Sequence, residues 1–258
     1  MYWNGKPSKL VDVCLERVNK LHPDFNIKVL NTSIEKVNGY DSLSVQAQSD
    51  WVRICAIEKY GGIWLDASCF LLKPVDEWID MNKMRLQGFS VPFADDCLES
   101  WAFAAPQNDE LVRVWKKQFK LAIEIGFDKF KQESLLNNHA IFDHMPYLTI
   151  HGCYVIASNV TNMEALMKKS VDGPYIYLDK TNWHTNEAID YLLERDIDVP
   201  FIKFRGPERN YLENNTYKLF SFLLKYHVNE KYYYENYNIQ MLAIFFVLIY
   251  LCLIFINT

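Results

Sequence analysis

The stretch Ser49-Asp50-Trp51-Val52-Arg53, joined by a short helical link to Tyr60-Gly61-Gly62-Ile63-Trp64-Leu65-Asp66-Ala67-Ser68, decides how this chain is read. The apolar spacing predicts a helix over residues 43–60, ended by the glycine pair, because glycine lets the backbone turn sharply and approach a ligand closely. Ile63-Trp64-Leu65 is a short apolar run and predicts a buried strand running into Asp66. Asp50 and Arg53 are three residues apart, so they share a helix face. In open α/β sheets ligands sit outside the carboxyl ends of the strands, which is where Asp66 falls. A carboxylate there suits a divalent ion bridging a diphosphate, with Ser68 as a hydroxyl or water-mediated ligand. Each feature alone also has a structural explanation: a surface ion pair, a helix cap, an aspartate capping a turn. Their conjunction, in this order within twenty residues, points to a site.

On either side of this stretch, strands and helices alternate. Leu10, Val13, Cys14, Val18 and Leu21 recur at three- and four-residue spacing and predict an amphipathic helix stopped near Pro23. Strands are expected at 26–31, 86–91, 101–105, 175–178 and 201–204, and helices at 108–125, 159–169 and 186–194. That alternation predicts an α/β sheet domain over residues 1–210. A membrane-proximal helical segment is expected within 211–238.

Composition narrows the function classes. Of 258 residues, 50% are apolar and 23% charged, enough for a sizeable core and too apolar for global disorder. The 27 basic and 32 acidic residues give a net charge of −5, which argues against a nucleic-acid binder. Residues 241–256, MLAIFFVLIYLCLIFI, carry no charge. With Ile239 and Gln240 the run reaches a length that spans a bilayer, about 1.5 Å per residue against a core of ~30 Å. The tyrosines just upstream, up to Tyr237, suit headgroup depth, and Lys218, Lys225 and Lys231 precede the run with no basic residue after it. The opening MYWNGKPSKL is too polar for a signal peptide. These features predict a single-pass membrane protein anchored through residues 239–256, with its catalytic domain in the cytosol. The six cysteines show no CxxC and no zinc spacing, so buried thiols in a reducing compartment are expected.

The central motif resembles the DxD-type sugar-nucleotide glycosyltransferases, whose core reads S-D-x-x-R and then Y-G-G-[IV]-[YW]-x-D. It is most similar to the capsular polysaccharide synthesis branch, itself similar to the mannosyltransferases that initiate yeast outer chains. There the acidic motif is often D-A-[ST], as in Asp66-Ala67-Ser68. Tyr2-Trp3-Asn4-Gly5, Leu10-Val11, His22-Pro23-Asp24-Phe25 and Ser100-Trp101-Ala102-Phe103-Ala104-Ala105 resemble the family's flanking motifs, so the likeness extends over about residues 1–205. The resemblance implies a GT-A-like, Rossmann-like domain that binds a nucleoside diphosphate sugar through Mn²⁺ or Mg²⁺ and passes the sugar to a glycan or lipid-linked acceptor. It implies that Asp50, Arg53, Gly61 and Gly62 hold the donor sugar and that Asp66 and Ser68 reach the metal. Ser68 departs from a full DxD by lacking the second carboxylate.

Breaking the anomeric C–O bond builds charge on the leaving diphosphate, and Lys203, Arg205 and Arg209 are candidates to stabilise it. Asp95, Asp96 and Glu99 are the candidate general bases for an inverting reaction, with Asp96 and Glu99 preferred. Arg53, as a polar residue lining a cleft, should be removable at little cost in stability. The alternative function is a membrane-anchored pseudoglycosyltransferase that binds sugar nucleotide or a partner without turnover.

Overall fold

The computed structural model describes residues 1–3 and 5–226. The expected anchor over 239–256 lies outside the described residues, and no helix among the described residues is long and apolar enough to cross a membrane. Helix α1 (Lys9–Leu21) is followed by α2 (Val45–Tyr60), whose N-cap Ser44 accepts a hydrogen bond from the Ala47 amide at 3.2 Å. Such a cap satisfies one of the amides that a helix start leaves unpaired. The Gly61-Gly62 turn leads into β1 (Gly62–Leu65) and β2 (Cys69–Leu71). Then come β3 (Gln87–Val91), β4 (Ala94–Ala105), α3 (Glu110–Ile125), α4 (Phe127–Glu133), α5 (Thr149–Thr161) and β5 (Leu166–Lys169). The described chain closes with α6 (Ile176–Asp179), α7 (Thr185–Glu194), β6 (Phe201–Lys203), α8 (Gly206–Asn214) and α9 (Thr216–Lys225).

The fold is mixed α/β. One sheet has the order β1-β4-β3-β5, in which only β3 and β5 run parallel, and a second pairs β2 with β6 antiparallel. It therefore differs from the largely parallel sheet that a Rossmann-like domain leads one to expect. The reason lies in Pro92-Phe93: Val91 pairs with Ala94 across this two-residue link, and only antiparallel strands can be joined so tightly. From Ala102 to Ala105 the side chains of β4 alternate between two cores. Phe103 and Ala105 face the cluster built by α2, α3 and α5, while Ala102 and Ala104 face the cluster of α1, β2, β6 and the later helices, which Trp101 joins out of phase. Five thiols, of Cys14, Cys55, Cys69, Cys97 and Cys153, are free and buried, whereas Cys252 lies outside the described residues.

Four local expectations differ from the structure. Residues 26–31 form no strand; only Leu30 bridges to Tyr2, beside the first residues of the chain. The expected strand at 175–178 is the short helix α6. The expected helix at 159–169 is instead the end of α5 and the start of β5, because Asn162 turns left-handed (φ 53°) and stops the helix, a conformation Asn tolerates well. Strand β4 begins at Ala94 rather than near Trp101, since Asp95 and Asp96 interrupt the alternation although both sit on the strand. Packing also runs past residue 210. Leu212, Leu219 and Phe222 are buried in the second core, with the Phe222 ring 5.0 Å from Phe70 and 5.4 Å from Phe204.

Candidate active site

Helix α2 places Asp50 and Arg53 where the end of β1 meets β4. Arg53 is 6% exposed and makes five polar contacts there. Its guanidinium donates to the Ser100 hydroxyl (2.5 Å), the Ser49 hydroxyl (3.1 Å) and the Ser49 carbonyl (3.4 Å). It pairs with Asp50 at 3.2 Å and Asp66 at 3.4 Å, and it lies 5.6 Å over the Trp64 ring. Strand β6 delivers Lys203 from the other side. Its ammonium donates to Asp66 Oδ2 and to Ser68 Oγ, each at 2.8 Å, and its side chain is 9% exposed. Asp66 also accepts from Trp64 Nε1 at 3.0 Å.

Electrostatics follow from this packing. Burial by itself would raise the Asp66 carboxyl; the Arg53 and Lys203 cations, with hydrogen bonds from Lys203 and Trp64, outweigh it and bring it down to about 2. Burial likewise would lower the Lys203 ammonium, and Asp66 reverses that, leaving it raised. Asp50 goes the other way: burial raises its carboxyl, and Arg53 offsets only part. A carboxyl lowered from 3.8 to about 2 contributes stability above about pH 4 and loses it as pH falls toward 2. The contribution is on the order of 2 kcal/mol. The stability gap between the wild type and Asp66→Asn should therefore narrow by about that much between about pH 5 and pH 2. A gap independent of pH in urea melts would contradict the cluster.

These residues line one cavity of about 1080 Å³. Asp50, Arg53, Asp66, Ser68, Glu99, Lys203, Arg205 and Arg209 all reach it. Asp96 does not: it is an exposed residue on β4, 3.1 Å from His139. Gly61 and Gly62 also lie outside the lining. Gly61 has a φ of +65°, and a Cβ there would stand 2.5 Å from the Gln107 amide nitrogen, so its role is the close approach of the α2–β1 corner to the turn after β4. Gly61→Ala should cost about 2 kcal/mol or more, from left-handed strain plus collision with backbone. Unchanged thermal stability would return Gly61 to the ligand-binding set.

Several residues in or just behind the cavity wall gave no sequence signal. Glu208 is fully buried and holds Arg205 with two hydrogen bonds, at 2.9 and 2.6 Å. Arg205 lies 5.0 Å over the Trp183 ring, and Trp183 adopts a φ of 64°, a strained conformation for a bulky side chain. Trp101 and Tyr175 continue this aromatic wall, with ring centroids 5.2 Å apart, and Arg209 covers Trp3 at 5.5 Å. On β4, two residues before Trp101, buried Glu99 lies 3.4 Å from His151 Nε2. The positive φ at residue 183 and the pairing of Glu208 with Arg205 cannot be read from local periodicity.

The residues implied as metal ligands do not fit a divalent ion. Mg²⁺ and similarly hard cations take oxygen ligands, from a protein one or two carboxylates that waters and substrate phosphates complete. Here the Asp66 carboxylate faces two cations, and the Ser68 hydroxyl accepts from one of them, so neither offers a free anionic ligand. Among the described residues no three His, Cys, Asp or Glu side chains stand together as a metal cluster.

Sequence comparison covers the part of the chain that supplies one side of this cavity. The profile of a family described as capsular polysaccharide synthesis protein matches residues 4–124, just under half of the chain. That segment contains Asp50, Arg53, Asp66, Ser68 and Glu99 but none of the three C-terminal cations. A fission-yeast protein (Schizosaccharomyces pombe) named pyruvylated Gal-beta-1,3-epitope synthesis protein 2 is 25% identical over 107 residues, which are 40% of this chain. The matched part is 28% of that protein's length. No solved structure matches the chain. Over its first half, this chain is similar to capsular polysaccharide synthesis proteins.

Proposed function

We propose that the protein is a glycosyltransferase that moves a sugar from a nucleoside diphosphate sugar to a glycan or lipid-linked acceptor. The observation that carries this reading is the meeting of Asp50 and Arg53 with Lys203, Arg205 and Arg209 around one cavity. Carboxylates and hydroxyls there suit sugar hydroxyls, and the cations suit a diphosphate. The family similarity and the relative's name, which refers to a galactose-bearing epitope, both favour work on glycans.

In the inverting form of the reaction, an acceptor hydroxyl attacks the anomeric carbon while Glu99 takes its proton. The bond to the diphosphate breaks, its electron pair goes to the leaving oxygen, and fixed cations stabilise that charge. Asp66 acts by holding Lys203 and Arg53 in place. A panel of sugar nucleotides, assayed for hydrolysis and transfer with and without Mn²⁺, tests the reading. Turnover of at least one donor is expected. Binding without turnover would establish the pseudoenzyme instead, and neither binding nor turnover would end the donor reading.

The anchor over residues 239–256, with the catalytic domain on the cytosolic side, belongs to the same proposal. A chain ended at residue 226 keeps every buried residue of α9. It should stay soluble without detergent, whereas the full chain should partition into membranes. A full chain that is soluble without detergent would refute the anchor.

A further inference from the structure

The Lys203 ammonium lies between Asp66 and Ser68, the two residues to which a metal role is attached by resemblance. We propose that it takes the place of a divalent ion, binding the donor's diphosphate directly, so that donor binding needs no metal. This rests on the sugar-nucleotide reading above and specifies how that site meets its ligand.

The first support is position. Lys203 Nζ is 2.8 Å from Asp66 Oδ2 and 2.8 Å from Ser68 Oγ, so a fixed positive charge is already held within the acidic motif. An ammonium has three protons to donate, and these contacts use two. The third remains for a ligand oxygen in the cavity that Lys203 lines.

The second is charge balance. Asp66 faces Arg53 as well as Lys203, so the carboxylate is over-neutralised before any ion arrives. The other carboxylates of the lining are also engaged: Asp50 pairs with Arg53, Glu99 lies against His151 and Asp179 lies 3.7 Å from the Lys180 ammonium. A divalent ion entering here would meet two cations and one shared carboxylate. A diphosphate would meet Lys203, Arg205 and Arg209.

The third is immobility. Lys203 is the last residue of β6, in register with Cys69 of β2, and its carbonyl accepts from the Tyr177 hydroxyl at 2.9 Å. Its side chain is 9% exposed and is held by Asp66 and Ser68 at 2.8 Å each. Ser68 is the matching adaptation. A hydroxyl accepts from the ammonium and leaves its charge intact, whereas a second carboxylate would cancel it.

The test is nucleoside diphosphate binding to the full chain in detergent, using uridine, guanosine and adenosine diphosphates, in EDTA and again in Mn²⁺. At least one should bind with affinities that agree within ~2-fold in the two conditions. Lys203→Met should weaken that binding ~100-fold or more, as expected when a buried charge partner is removed. Ser68→Asp covers the case in which Lys203→Met does not fold. It should weaken binding in EDTA ~10-fold by pairing the ammonium, and Mn²⁺ should not restore the loss. Binding that appears only with Mn²⁺, or a Ser68→Asp protein that binds more tightly with Mn²⁺, would overturn the lysine proposal and leave the donor reading standing. No binding of any nucleoside diphosphate in either condition would overturn both.

Discussion

Arg53→Ala should destabilise the protein by about 3–5 kcal/mol, the cost of removing one member of a buried charge cluster. The loss has three parts. Asp50, 14% exposed, loses its salt-bridge partner; Asp66 keeps Lys203 as its one charged partner beside the Trp64 indole; and the hydroxyls of Ser49 and Ser100 lose a charged donor. Urea unfolding is the measurement, with a lowered midpoint and an unchanged slope. This reverses the expectation drawn from the helix face alone, that Arg53 serves the ligand at little structural cost. A loss under about 1 kcal/mol, the range of exposed pairs, would mean that the cluster is solvated.

Glu99→Gln should reduce turnover by about 10²–10⁴-fold, the usual contribution of a positioned general base. The substitution keeps size and shape at a residue 6% exposed, so the fold and nucleoside diphosphate affinity should stay within ~2-fold of the wild type. A fall in turnover together with a fall in donor affinity would identify Glu99 as a packing residue. Turnover within ~3-fold of wild type would remove it from the chemistry. Asp96→Asn is the internal control: it lies on the same strand, exposed and outside the cavity, and should leave turnover unchanged.

The first half of the site was legible because its signals are local. Asp50 and Arg53 are one helix turn apart, the glycine pair ends that helix, and Asp66 closes the strand that follows. Periodicity and turn chemistry report all of these. Lys203 was legible only as one of three candidate cations; its pairing with Asp66 was not, since β6 reaches the site through strand pairing with β2. The glycines show the opposite error. Neither lines the cavity: Gly61 is held by the close approach of residues 106 and 107, and at Gly62 a Cβ would meet nothing within 4 Å. In the fold, Asp95 and Asp96 hid the start of β4, because two acids in succession break alternation whichever way their neighbours face. The two-residue link at Pro92-Phe93, which sets the antiparallel pairing, became visible only once that strand was known.

The pairing of Asp66 with Lys203 joins residues 137 positions apart. On a ribosome adding about 5–20 residues per second, Asp66 emerges roughly 7–30 s before Lys203 exists. Throughout that interval β2 has no strand beside it, and the Asp66 carboxylate lacks one of the cations that make its burial tolerable. A nascent chain at this stage exposes an apolar strand edge, the kind of surface that chaperones shield. No fragment ending before β6 contains Lys203, Arg205 or Arg209. Binding of the proposed donor would therefore mark a chain whose synthesis has passed Arg209 and whose β6 has paired with β2.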